Sequence, residues 1–198
     1  MTNLLETERL IVRSWIPERD AEQAFVVMYS DSEVTRFLRH ASRVTSIDLQ
    51  RQRLIENSER MHQRNNGTGS WAIVEKQTTT IVGTILLLQL PDKDGLPTLD
   101  YEVGWHLRRV SWGKGYATEA GQVMLNYGFS VLNLPVIYAV VKPENHASIR
   151  VTQRLGMKPI GTTNKYYGIE LLLFQLDAPE EWKGSREQGE QGKQGKKE

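Results

Sequence analysis

Two glycines flank one lysine in Trp112-Gly113-Lys114-Gly115-Tyr116-Ala117-Thr118-Glu119-Ala120, and a helical pattern follows at once. A strand that runs through such a loop into a helix leaves several backbone N–H groups without intrahelical partners, and the helix dipole adds about +0.5 charge there. The arrangement is a cradle for an anion. Gly113 and Gly115 let the backbone approach a bulky group and take positive φ without a Cβ penalty, while Lys114 adds a point charge. A phosphate-bearing ligand is the expected guest. Two familiar nucleotide loops fail on spacing, G-x-x-x-x-G-K-[ST] and G-x-G-x-x-G, because Gly115 follows Lys114 and Thr118 stands where a last glycine would be.

A strand must deliver the chain to this loop and a helix must carry it away. LDYEVGWHL, residues 99–107, is a strand whose alternation sets Asp100, Glu102, Gly104 and His106 on one face and Tyr101, Val103 and Trp105 on the other. Past Thr118, Ala120, Met124, Tyr127 and Val131 recur at helical spacing. Upstream, SWAIVEK and IVGTILLLQL are separated by QTTT and predict a hairpin, which the strand after the turn PDKDGLP extends to a meander. Earlier still, ETERLIVRSW alternates Leu10 and Val12 with Arg9, Ile11 and Arg13 as a first strand, and Pro17 opens a helix. Ile47, Leu54, Ser58 and Met61 form a further helical stripe. Downstream, LPVIYAVV is a β-branched run, NHASIRVTQRLG a short helix closed by Gly156, and MKPIGTT with GIELLLFQL a final strand pair. The pattern predicts one α/β (α+β) domain over residues 1–182, with a mixed sheet of about seven strands flanked by helices.

Composition narrows the class. The chain has 198 residues, enough for one sizeable core, and its 39% hydrophobic and 25% charged content is that of ordinary globular chains. Apolar runs such as Ile85 to Leu88, extended past Gln89 to Leu90, are too short to cross a bilayer, and MTNLLETERL lacks a basic segment followed by an apolar one. A cytoplasmic protein is expected. The absence of cysteine excludes disulfides, thiol catalysis and a cysteine-based zinc site, and the four histidines show no H-E-x-x-H spacing, so no metal is expected. With 25 basic and 24 acidic side chains the net charge of +1 provides no global attraction to nucleic acid. From Lys183 the chain reads KGSREQGEQGKQGKKE without one apolar residue, a composition expected to stay a solvated, disordered tail over 183–198.

Three motifs in order carry a resemblance. Trp112 to Ala117 resembles the [QR]-x-x-G-x-[GA] pyrophosphate loop of the GCN5-related N-acetyltransferases (GNAT), which bind acetyl-CoA, and Asn145 to Met157 resembles their N-x-x-S helix with its L-G-F close. Glu6 to Arg13 resembles the E-T-E-R-L-x-[LV]-R strand of the RimJ/RimL-type branch, whose W-G-x-G-Y-A-T-E-A is matched here outside its variable position. The resemblance covers residues 6 to about 176. It departs where Trp112 replaces Gln or Arg, leaving cation contact to Lys114 or Arg109, and where Met157 replaces Phe. Thr152 stands where many members carry a helix tyrosine as proton donor to the leaving thiolate, and Ser148 is the substitute that the branch pattern suggests.

The resemblance implies acetyl-CoA as co-substrate and direct acetyl transfer to a primary amine. Such transfer must hold both substrates together, take a proton from the ammonium, stabilise the oxyanion and protonate the thiolate. In this fold the strand before the pyrophosphate loop splays from the next one, here Leu99–Leu107 from Leu134–Val141, and CoA inserts between them. Backbone groups of Trp105, His106 and Leu107 are then expected to bond the pantetheine, with Trp112, Gly113, Lys114, Gly115, Tyr116, Ala117 and Thr118 around the pyrophosphate and Arg109, Asn145 and Ser148 beside it. Glu102 is the expected base, His106 its rival, and Ser148 the expected acid unless it only caps its helix. Arg150 and Arg154, one turn apart, suit either the CoA 3′-phosphate or solvent. The basic cluster Arg36, Arg39, His40 and Arg43 falls in the region that forms the acceptor wall in relatives, and suits either an acidic acceptor or plain surface. A protein N-terminus is the acceptor the branch suggests. A small-molecule amine (polyamine, amino acid or antibiotic) and a non-catalytic CoA-binding sensor are the alternatives, and a monomer or a homodimer fits equally.

Overall fold

A computed structural model of the protein describes residues 3–38 and 44–180. Arg39, His40 and Arg43 of the basic cluster and the tail from Lys183 lie outside the described residues. Eight strands form one sheet: β1 (Asn3–Glu6), β2 (Leu10–Arg13), β3 (Gly69–Glu75), β4 (Ile81–Pro91), β5 (Pro97–Leu107), β6 (Val136–Val141), β7 (Lys158–Thr163) and β8 (Leu171–Asp177). Their order is β1-β2-β3-β4-β5-β6-β8-β7, and every neighbouring pair is antiparallel except β5 with β6.

The expected first strand is in fact a hairpin, which raises the count from seven to eight. Thr7 closes it, donating its N–H to the Leu10 carbonyl at 2.9 Å and accepting the Leu10 N–H on its hydroxyl at 2.8 Å. The chain therefore reverses between Glu6 and Leu10, and β1 folds back on β2.

Helices cover both faces: α1 (Pro17–Ala24), α2 (Ser32–Thr35), α3 (Ile47–Arg64), α4 (Tyr116–Ser130) and α5 (His146–Arg154). Proline opens α1, and Ser46 caps α3 by accepting from the Leu49 N–H. Strand β3 shows why two layers are needed. Trp71 and Ile73 pack on one face with Met124, Leu125 and Phe129 of α4, while Ala72 and Val74 pack on the other with Ala21, Ala24 and Leu54 of α1 and α3. Each large side chain buried this way contributes about 1.5–3 kcal/mol of transfer free energy.

Two local features escaped the sequence pattern. Arg13 is buried, not solvent-facing, because its guanidinium meets the buried Asp20 at the start of α1 through two contacts of 2.6 and 3.1 Å. Between α1 and α2 the chain makes a π-helical turn, Phe25–Tyr29, closed by the Ser30 N–H on the Phe25 carbonyl at 2.9 Å. Such turns re-aim a side chain and are frequent at functional sites. This one sends the Tyr29 ring against His106 of β5, with centroids 5.5 Å apart.

The splay appears in the ladder. Strands β4 and β5 pair from Gly83–Leu107 to Pro91–Pro97, but β5 and β6 share a single register pair, Glu102 with Tyr138. Beyond that point the two strands part, and among the described residues the outer edge of β5 from Val103 to Leu107 has no strand partner.

Candidate active site

The cradle takes its shape from its glycines and from a clamp. Gly113 and Gly115 have φ of +77° and +83°, a region costly for a residue with a Cβ. A Cβ on Gly113 would meet nothing within 4 Å, and one on Gly115 would meet only the Arg9 guanidinium at 3.4 Å. The space over the loop is therefore open to a ligand. Gly115 caps α4 without any side-chain partner, so the first N–H groups of a 15-residue helix face that space.

Beneath the loop, Arg9 and Thr7 grip Glu119. The Arg9 backbone N–H and Nε donate to the Glu119 carboxylate at 3.0 and 2.7 Å, Thr7 Oγ1 donates at 2.5 Å, and Arg9 Nη1 reaches the Lys114 carbonyl at 3.0 Å. Burial alone would raise the Glu119 carboxyl, yet the hydrogen bonds from Thr7 and Arg9 outweigh it and hold it below its ordinary value. The Arg9 guanidinium also lies over the Tyr116 ring, 4.8 Å from its centroid, and the Tyr116 hydroxyl donates to Glu75. Removing the Arg9 side chain should therefore loosen the cradle: Arg9→Ala is expected to raise the KM for acetyl-CoA about fivefold, on the ~1 kcal/mol scale of a partly exposed, hydrogen-bonded ion pair, with kcat nearly unchanged in steady-state assays.

Above the loop lies a cavity of about 280 Å³, walled by Gly113, Gly115, Ala117 and Thr118 on one side and by Asn145, Ser148, Arg150 and Arg154 on the other. Thr118 Oγ1 is buried and unpartnered there, an orphaned hydroxyl at a helix N-terminus. Among the described residues, Arg36, Arg150 and Arg154 supply the cations of this wall, whereas Lys114 and Arg109 do not line it. Trp112 is 43% exposed and fastens the loop through its indole N–H on the Leu107 carbonyl at 2.9 Å. Uncapped N–H groups, an unpartnered hydroxyl, three arginines and open space over two glycines together fit a polyphosphate. Gly115→Val would place a β-branched side chain at positive φ in that space, and its acetyl-CoA Kd by calorimetry should rise at least about 30-fold.

A second cavity of about 280 Å³ opens in the splay, lined by Glu102 and Gly104 of β5, Ala139 and Val141 of β6, and Tyr167. The two cavities share Phe37, Leu38, Trp105, His106, Asn145 and Ser148. Asn145 caps α5, its carboxamide oxygen accepting the Ser148 N–H at 3.2 Å. Ser148 thus uses its backbone, not its hydroxyl, in the cap, and the side chain stands where the cavities join.

The structure separates the two candidate bases. His106 Nε2 lies 2.8 Å from the Tyr29 hydroxyl, and burial together with the Arg53 charge pushes the imidazole down to about 4, so it is neutral at pH 7 with one nitrogen already engaged. Glu102 is 8% exposed, lines the splay and accepts a hydrogen bond from the Tyr167 hydroxyl.

A family model described as an acetyltransferase (GNAT) domain matches residues 9–158. The chain belongs to the GNAT family. It is 33% identical over 166 residues to the uncharacterized N-acetyltransferase YoaA of Bacillus subtilis, covering 84% of this chain and 89% of YoaA. It is 32% identical over 179 residues to the uncharacterized N-acetyltransferase p20 of Bacillus licheniformis, covering 87% of this chain and 94% of p20. Among solved structures, RimL, a ribosomal L7/L12 alpha-N-protein acetyltransferase in complex with coenzyme A, shares the fold with a TM-score of 0.73 at 14% identity, over 89% of this chain and 98% of RimL. The chain is accordingly an acetyl-CoA-dependent N-acyltransferase of the GNAT family.

In this GNAT domain Thr152, which the resemblance set in the place of the helix tyrosine, has its hydroxyl turned back on its own helix. Thr152 is fully buried, and its hydroxyl donates to the Ile149 carbonyl at 2.8 Å. Met157, in place of the usual Phe, is 4% exposed and fills the core beneath α5. Sequence pattern pointed to neither the Arg9–Glu119 clamp nor Tyr29 nor Tyr167, although the joint presence of E-T-E-R-L and A-T-E-A was a trace of the first.

Proposed function

We propose that the enzyme transfers the acetyl group of acetyl-CoA directly to a primary amine at the junction of the two cavities, and that the amine is a protein N-terminus. The observation that carries this reading is the meeting of a phosphate-suited cavity with a carboxylate-lined one at Trp105, His106, Asn145 and Ser148. Acetyl-CoA lies with its pyrophosphate over Gly113–Thr118 and its thioester beside the unpaired edge of β5, whose backbone N–H groups polarise the carbonyl. Glu102 takes a proton from the acceptor ammonium, directly or through one water, and the amine nitrogen attacks the carbonyl carbon. As the C–S bond breaks, the Ser148 hydroxyl gives its proton to the thiolate and recovers one from the newly bonded nitrogen. One acetyl amide, one CoA thiol and one proton result, with no covalent enzyme intermediate.

The RimJ/RimL-type motifs and the fold shared with RimL support the protein N-terminus. A thiol-release assay against peptides with varied N-termini, polyamines and amino acids tests it. Release with peptides at kcat/KM well above that of any small amine is the expected result, while release with a small amine alone would move the acceptor to metabolites.

A further inference from the structure

We propose that Tyr167 is a positioning residue for acyl transfer, its hydroxyl holding the Glu102 carboxylate in the acceptor cavity through a donated hydrogen bond. The inference rests on the reading of Glu102 as the base. Tyr167 has φ of +62°, a left-handed conformation that a bulky side chain takes only when its surroundings impose it. Gly168 follows with φ of +66°, and a Cβ there would come within 3.1 Å of the Lys93 carbonyl, so the turn is pressed against the β4–β5 connection.

The imposed contacts are on that connection and on β5. The Tyr167 N–H donates to the Asp92 carbonyl at 3.3 Å, and Asp92 forms a bridge with Tyr166. The Tyr166 hydroxyl and Lys165 Nζ each donate to Asp100 Oδ2 at 2.7 Å. Burial and the bond to Asp100 raise the Tyr166 hydroxyl to about 12, which keeps it a donor. Consecutive tyrosines thus meet alternate carboxylates on one face of β5, Tyr166 on Asp100 and Tyr167 on Glu102.

Their surroundings differ. Asp100 lines neither cavity, and its bonds to Lys165 and Tyr166 anchor the loop. Glu102 and Tyr167 both line the acceptor cavity beside Ser148. Loop anchoring is already achieved by Tyr166, so the strained turn at the next residue serves to bring a hydroxyl onto the proton acceptor. The bond fixes which way the carboxylate points, and a hydrogen bond donated to a carboxylate favours its ionised form. In the transfer step an ammonium N–H bond breaks and an O–H bond forms on Glu102, which frees the amine nitrogen to make the C–N bond, with Tyr167 keeping its own proton. Among the described residues, the other titratable groups around Glu102 include Asp100 and His106 on its own strand, Tyr138 opposite it on β6, Lys142 in the same cavity, and Lys165 and Tyr166 of the docked loop.

The test uses the full chain with uniformly 13C-labelled glutamate, the Glu102 carboxyl resonance being assigned by its loss in Glu102→Gln. In Tyr167→Phe the pH at which that carboxyl titrates should rise by at least about half a unit, with acetyl-CoA affinity and the unfolding midpoint unchanged. An unmoved titration overturns the proposal and leaves acetyl transfer itself untouched. With a peptide or amine acceptor from the thiol-release panel, Tyr167→Phe should lower kcat about tenfold in the wild-type background and by less than twofold in Glu102→Gln, since a group acting through another loses its effect when that one is gone. Equal falls in both backgrounds would contradict positioning through Glu102. A Glu102→Gln enzyme as fast as wild type would instead remove the base assignment on which the inference stands.

Discussion

Glu102→Gln is expected to lower kcat about 100-fold while leaving the acetyl-CoA Kd within about twofold. Glutamine keeps the shape of the side chain and can still accept from Tyr167, so the substitution removes charge and basicity. The first cavity, where CoA lies in this reading, does not include Glu102. General-base catalysis by a positioned side chain contributes on the order of 10²–10⁴-fold, and a water-assisted route keeps the loss at the lower end. The measurement is a pair, calorimetric acetyl-CoA affinity and steady-state turnover with one fixed acceptor. A tenfold weaker acetyl-CoA affinity with unchanged kcat would place Glu102 in binding and not in proton transfer. His106→Gln should cost less, because the ring is engaged with Tyr29 and neutral at pH 7.

Asp20→Ala should destabilise the fold by about 3–5 kcal/mol, lowering the unfolding midpoint by roughly 10 °C in a chain of this size. Asp20 is 2% exposed and accepts from Arg13 at 2.6 and 3.1 Å, from the Ile16 N–H at 2.8 Å and from Arg19 Nε at 2.9 Å. Truncation leaves the 6%-exposed Arg13 as an uncompensated buried charge, the costly case for an ion pair. Burial on its own would raise the Asp20 carboxyl, but the hydrogen bonds from Arg13, Ile16 and Arg19 prevail and its value is lowered. A lowered carboxyl adds stability that is fully present above the unfolded aspartate value of about 3.9 and is lost as pH falls through the folded value. The gap between wild type and the variant should therefore be constant from pH 5 to 8 and narrow only in acid. Calorimetric midpoints across that range decide it, and a shift under 2 °C at pH 7 would show that the pair is not what ties β2 to α1.

What was legible in the chain was local. The cradle could be read because a glycine-lysine-glycine loop and the helix after it lie within nine consecutive residues, and Glu102 could be placed because a strand alternates with period two. The strand-splay expectation came with the family resemblance, and the single Glu102–Tyr138 register pair matches it. What stayed hidden depends on contacts distant in sequence or on rare backbone. Arg9 and Glu119 are 110 residues apart, and nothing in either segment alone says that one holds the other. Arg13 alternates like a surface residue until α1 brings Asp20 over it. The turn at Thr7 looked like an uninterrupted strand because its reversal uses a threonine hydroxyl and no glycine or proline. Tyr29 and Tyr167 depend on a π-helical turn and a left-handed φ, two conformations without a pattern of residue types to announce them.

Direct acetyl transfer is tested by product analysis by mass spectrometry after incubation of the enzyme with acetyl-labelled acetyl-CoA and a panel of N-terminally varied peptides and small amines. One labelled acetyl group on an amine nitrogen for each CoA thiol released, with no label on the enzyme, is the expected result. Label retained on the enzyme, or thiol released without an acetylated amine, would contradict direct transfer at the junction of the two cavities.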